Sequence, residues 1–146
     1  VPSLSASARE LLRTARIAHL ATSDQYARPH VVPIVFVWQE PVLYTPLDRK
    51  PKRGDDWHAL RRVRNIETNG RVAIVVDRYD EDWSRLAWVL LEGVATILES
   101  GDEREAGAKM LRQKYAQYET LPLEGRPIVR VEIEHEAEWA SEPPSA

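Results

Sequence analysis

The residues best suited to chemistry in this chain are cationic and close together. Asp48-Arg49-Lys50-Pro51-Lys52-Arg53 is followed, after a short acidic break, by Trp57-His58-Ala59-Leu60-Arg61-Arg62-Val63-Arg64-Asn65. The whole chain carries a net charge of −3, so the basic stretch is a local feature. Pro46 and Pro51 restrict the backbone on both sides of Lys50. A stiff basic loop running into a helix suits an anionic group, a phosphate or a carboxylate. Arg61 and Arg64 lie three apart and share one helical face; Arg62 and Asn65 share the adjoining one. Such a face can clamp an anion together with the loop. The same pattern also describes a solvated loop and helix face, because Lys and Arg are mostly exposed. Arginine outnumbers lysine sixteen to four, which favours planar, bidentate contacts with carboxylates and phosphates.

Other candidates have competing structural readings. His30, beside Pro29, is either an acid/base group or a hydrogen-bonded strand residue. His19, His58 and His135 show no metal-ligand spacing, so no metal site is expected. The run from Asp77 to Trp83 holds four carboxylates. These suit a divalent cation or an acid/base pair, but calcium-loop spacing is missing and a hydrophilic loop is the stronger reading. Trp83 and Trp88 can stack on an aromatic ligand or pack in a core or subunit contact. No Gly-x-Ser-x-Gly elbow is present.

The elements that must position these residues follow from periodicity. Ser5 or Ser7 caps a first helix, with Ser7 and Glu10 fitting a capping box and Leu11, Leu12 and Ala15 facing inward. Strands are expected over 17–22, 29–38 and 42–45, with a polar turn at 23–27 and a reversal at 39–41. Pro33 implies a free edge or a bulge in the second strand. A second helix spans 57–68, capped by Asp55 or Asp56 and stopped by Asn69-Gly70. The fourth strand, 71–77, is apolar without alternation and reads as buried on both faces. The fifth, 86–98, carries Gly93 where a bulge is expected. A third helix from Asp102 to about Tyr118 turns Ala106, Met110 and Leu111 inward. The sixth strand, 128–134, alternates Val129, Val131 and Ile133 with Arg130, Glu132 and Glu134. Short links between strands exclude parallel crossovers. The expected fold is mainly β (α+β): a six-stranded antiparallel split barrel with peripheral helices.

With 146 residues and 43% hydrophobic content, one folded domain over 1–140 is expected, with 141–146 a disordered tail. The absence of cysteine excludes thiolate chemistry and fits a reducing cytoplasm. No apolar run reaches the roughly 18 residues of a membrane span, and Val1-Pro2-Ser3-Leu4 lacks a signal pattern. The acidic balance argues against a nucleic-acid partner.

Four blocks carry a resemblance to a known family: Ala27-Arg28-Pro29-His30-Val31-Val32-Pro33; Asp48-Arg49-Lys50-Pro51-Lys52; Leu60 to Ile66; and Val75 through Asp82-Trp83-Ser84-Arg85-Leu86. Their order resembles the flavin/deazaflavin oxidoreductase superfamily, the split β-barrel group that includes pyridoxamine 5′-phosphate oxidase. It is most similar to the branch of probable coenzyme F-420-dependent enzymes. The resemblance implies a homodimer with cofactor at the subunit interface and a phosphate held by Lys50, Lys52 and Arg62, with Asn65 beside them. It implies that His30 and Pro33 line the ring pocket, where relatives commonly carry amide side chains, and that the ring lies along Thr45 and Pro46. With Arg53 added, the basic groove matches the phosphodiester and oligoglutamate tail of F-420 better than the single phosphate of FMN. The implied activity is hydride transfer between the deazaflavin and a small unsaturated organic substrate, with His30 as candidate proton donor. An FMN-dependent oxidase or reductase, and a non-catalytic cofactor- or haem-binding module, are the alternatives.

Overall fold

Alternation of apolar with polar residues builds the sheet, and a computed structural model describes its course over residues 4–47 and 56–141. The elements run α1 (Ala6–Thr14), β1 (Ala18–Ser23), β2 (Pro29–Ile34), β3 (Val37–Gln39), β4 (Val42–Pro46), a 3-10 turn at Trp57–Ala59, α2 (Arg61–Thr68), β5 (Arg71–Arg78), a 3-10 turn at Trp83–Arg85, β6 (Ala87–Leu98), α3 (Asp102–Lys114), a 3-10 turn at Ala116–Glu119 and β7 (Ile128–Ala140). All strand pairs are antiparallel, in the order β2-β1-β5-β6-β7-β4-β3. The two edge strands, β2 and β3, are consecutive in the chain and joined by Val35-Phe36 alone. Three Cα–Cα steps hold their ends within about 11 Å of each other, so a sheet of this width has to roll up. It does so without closing its last hydrogen-bonded seam, which is the split-barrel form.

Seven strands replace the six expected, because the chain leaves the ladder after Ile34. The missing ladder partners at this corner are supplied by a side chain. The Phe36 N–H donates to Tyr115 Oη at 3.1 Å, and the Tyr115 hydroxyl lies 3.1 Å from the Phe36 carbonyl and 2.9 Å from that of Arg16. Buried backbone groups need such partners. Pro33 sits on edge strand β2, as its missing N–H favours. The expected bulge falls between Glu92 and Gly93; a Cβ at Gly93 would collide with the Glu132 carbonyl.

The barrel interior joins Leu20, Ile34, Phe36, Leu43, Val63, Ile74, Leu91 and Val131, with α1 contributing Ala8, Leu11 and Leu12. Ser5 caps α1, accepting from the Ala8 N–H. A second cluster packs α3 and the turn after it on the outside of β3, β4 and β7, around Tyr44, Leu111, Tyr115 and Ile128. This corrects two expectations. The strand buried on both faces is β4, under α3, whereas β5 buries Val72, Ile74 and Val76 and leaves Ala73 and Val75 half-exposed. In α3 the inward residues are Gly107, Ala108 and Leu111, and Ala106 is exposed. Gly107 lets the helix approach the Tyr44 ring, which a Cβ there would meet at 3.2 Å. Ser141 is tied to the body by hydrogen bonds with Leu86 and Trp83. Among the described residues no helix is long and apolar enough to cross a membrane.

Candidate functional site

Helix α2 is the element that distributes the cations. Its apolar residues Val63 and Ile66 are buried in the barrel, and this fixes its rotation. Asn65 is also buried, 4% exposed, and its Nδ2 donates to Thr22 Oγ1 on β1 at 2.9 Å. That bond ties the helix to the sheet. With the helix so oriented, Arg61, Arg64, Asn65 and Thr68 form one flank and Arg62 the other.

The first flank faces the β1–β2 turn. Asp24, Gln25, Tyr26, Arg28, Arg61, Arg64, Asn65 and Thr68 enclose a groove of about 430 Å³. Asp24 organises the turn. Its carboxylate accepts from the Tyr26 N–H at 2.8 Å, the Arg28 N–H at 3.0 Å and Arg28 Nε at 2.6 Å. Those bonds, led by the Arg28 N–H, hold its pKa down to about 2. Ala27 takes a left-handed φ of 61°, a conformation unusual outside glycine. The Arg28 guanidinium lies 5.1 Å from the centre of the Tyr26 ring.

The second flank faces the sheet edges. Ile17, Pro33, Ile34, Val35, Thr45, Pro46 and Arg62 line a cavity of about 160 Å³. Its walls come from β2, the corner after it, the end of β4 and the start of α2. Those elements are far apart in sequence, so only the rolled sheet brings them together. Ile17 and Val35 also line a neighbouring cavity of about 370 Å³ with Arg16, Tyr115, Gln117, Tyr118 and Leu121.

The residues singled out from the sequence therefore divide. Pro33, Thr45, Pro46 and Arg62 meet at one cavity. Asn65, placed beside Arg62 by sequence, lines the other groove. His30 lies on the opposite face of β2 from Pro33: positions 30, 32 and 34 turn inward and 29, 31 and 33 outward. Its cross-strand partner is Thr22, and its Nδ1 is buried without a hydrogen-bond partner among the described residues. Lys50, Lys52 and Arg53 lie outside the described residues, between Leu47 and Asp56 in the sequence. In the acidic run, Asp82 accepts from Ser84 and Asp80 from the Asp82 N–H, and Asp80 lies 3.4 Å from Arg85, so these carboxylates structure their own loop. Trp83 is exposed, and Trp88 pairs across strands with Trp139. Ile17, Val35, Asp24 and Tyr26 escaped the sequence reading. An Asx-type spacing, Asp24 two before Tyr26 and four before Arg28, was the available signal for the turn.

The comparisons agree with this architecture. The pyridoxamine 5′-phosphate oxidase family model matches residues 4–140. No curated protein sequence matches the chain. Among solved structures, the haem storage protein HutZ from Vibrio cholerae is similar at 19% identity and TM-score 0.72, over 95% of each chain. A FAD-binding protein from Mesorhizobium loti is similar at 20% identity and TM-score 0.66, over 92% of this chain and 94% of that one. The conserved hypothetical protein Rv2991 from Mycobacterium tuberculosis is similar at 16% identity and TM-score 0.75, over 97% and 87%. At these identities the likeness is one of fold.

Proposed function

The chain belongs to the pyridoxamine 5′-phosphate oxidase family, and on that premise we propose that it is a coenzyme F-420-dependent reductase acting on a small unsaturated organic substrate, working as a cytoplasmic homodimer. The observation that carries the reading is the cavity on which Pro33, Thr45, Pro46 and Arg62 converge. Its walls are apolar except for Thr45 and one guanidinium, which suits a ring lying along the end of β4 with an anion at its end. Lys50, Lys52 and Arg53 add three cationic residues to the chain between the end of β4 and Arg62. F-420 carries a phosphodiester and an oligoglutamate tail, a string of anions that a string of cations recognises; FMN needs one such grip. When bound, the deazaflavin supplies a hydride to the substrate.

The chain's own residues position and screen. With the coenzyme bound, Pro33, Ile34 and Val35 would exclude water from one wall, and Arg62 would lie against the phosphate. His30, across the strand from Pro33, is not the proton donor in this reading, and solvent serves. Exposed apolar side chains support the dimer: Ile17, Val31, Trp88 and Trp139 are 47%, 60%, 37% and 47% exposed, and such side chains favour association where they meet a second apolar surface.

Fluorescence titration with F-420 and FMN, with haem followed by absorbance, tests the proposal. Micromolar F-420 binding is expected. FMN binding without F-420 binding would move the protein to the flavin reading, towards which the FAD-binding neighbour points. Haem binding alone would move it to the haem-holding reading, towards which HutZ points.

A further inference from the structure

The groove on the other side of α2 is not used by the cofactor cavity, and its charge is unbalanced. We infer that it is a second anion site, taking two neighbouring anionic groups of one small ligand between Arg61 and Arg64 on the helix and Arg28 on the β1–β2 turn. Among the described residues neither the Arg61 nor the Arg64 guanidinium has a hydrogen bond or an ion pair. The one carboxylate among the groove's described lining residues, Asp24, is already committed to Arg28 and to two turn amides. Three guanidiniums against one carboxylate leave the groove two charges positive. Unpaired arginines usually spread into solvent, but here they line a concavity of about 430 Å³, room for a dianion of several heavy atoms.

The walls are built and not incidental. Asn65 is nearly fully buried and bonded to Thr22, yet lines the groove, so its amide is presented from a fixed position. Asp24 and the left-handed Ala27 set the turn that carries Tyr26 and Arg28. Tyr26, 69% exposed, rims the groove with an apolar ring. Arginine forks favour paired oxygens, so carboxylates or phosphates a few ångströms apart on one molecule are the ligand chemistry. Two sources can supply it. One is the γ-glutamyl tail of the coenzyme, reaching past Arg62 round the start of α2; this source rests on the F-420 reading. The other is a separate soluble polyanion.

The test compares wild type with Arg61→Gln/Arg64→Gln, using pyrophosphate and γ-glutamylglutamate as calorimetric probes and F-420 of short and long tail as fluorescent ones. If the groove is a site, wild type binds at least one probe class and the double variant binds it more than tenfold more weakly, with an unchanged melting temperature. Loss confined to the advantage of the long tail identifies the tail; loss confined to the free probes identifies a separate ligand. Binding of free probes with no binding of F-420 leaves the groove standing and removes the coenzyme assignment. If wild type and variant agree for every probe, the inference is overturned.

Discussion

Arg61 and Arg62 are neighbours in sequence and serve opposite sides of α2. On one side Arg62 closes an apolar cavity whose walls come from β2, β4 and the corner after Ile34. On the other, Arg61 and Arg64 face a polar groove whose far wall is a single tight turn. The first site is assembled from segments distant in sequence and depends on the roll of the sheet. The second depends on one hairpin and one helical face. The difference shows that a basic run is not one functional unit: burial of Val63 and Ile66 splits its charges between two environments before any ligand is considered.

The sharpest way to break the comparison is to disable the cavity alone. Lys50→Ala with Arg62→Ala should weaken cofactor binding at least about a hundredfold, since each charged contact is worth roughly 1.5–3 kcal/mol. Groove probes should bind as before, and the melting temperature should stay close to that of wild type. A collapsed melting temperature with unchanged affinity would make those residues structural.

Asn65→Leu should damage the frame that both sites share. Thr22 loses its partner in a buried setting, and chemical denaturation should register a loss of about 1–3 kcal/mol. An unaltered denaturation midpoint would mean the Asn65–Thr22 bond does not position α2.

Asp24→Asn sharpens the groove side through pH. The Asp24 carboxyl titrates near 2 in the fold, against an ordinary 3.8. Its contribution is therefore complete above about 4 and lost as pH falls towards 2. The variant should show less loss of stability over that window than wild type. Equal acid limbs would show that the turn does not depend on the ionised carboxylate.

The last test concerns a group that lines neither site. Lys114 Nζ is buried without a hydrogen-bond partner among the described residues and lies 3.9 Å from the centre of the Phe36 ring. Burial, then the Arg16 charge, lowers its pKa from 10.5 to about 8. Between those values the unfolded chain binds the extra proton, so stability should rise with pH. Lys114→Met should flatten that rise in thermal melts at several pH values while leaving ligand binding at either site unchanged.

Much of the fold was legible. The alternation of β7, the Gly93 bulge and the Asn69-Gly70 stop are local signals that read the same in sequence and structure, whereas the start of α1 was legible only as Ser5 or Ser7, and Ser5 caps it. The opposite faces of His30 and Pro33 were also legible in principle, because three residues along a strand reverse the side; the family resemblance put them in one pocket, and strand periodicity separates them. Tyr115 was not legible. Its hydroxyl serves Phe36 and Arg16, 79 and 99 residues away, and no local pattern marks a tyrosine as the hydrogen-bond partner of a distant corner. The burial of β4 on both faces was hidden for the same reason, since it depends on α3 crossing outside the sheet.

The sequence by itself determined the kinds of element, their antiparallel character and the presence of a concentrated basic charge, because hydrophobic period, capping and turn chemistry act over a few residues. Only the tertiary structure decided which arginine faces which concavity. That depends on the rotation of α2, set by burying Val63 and Ile66 and bonding Asn65 to Thr22, and on a sheet rolled by a two-residue link between its own edges.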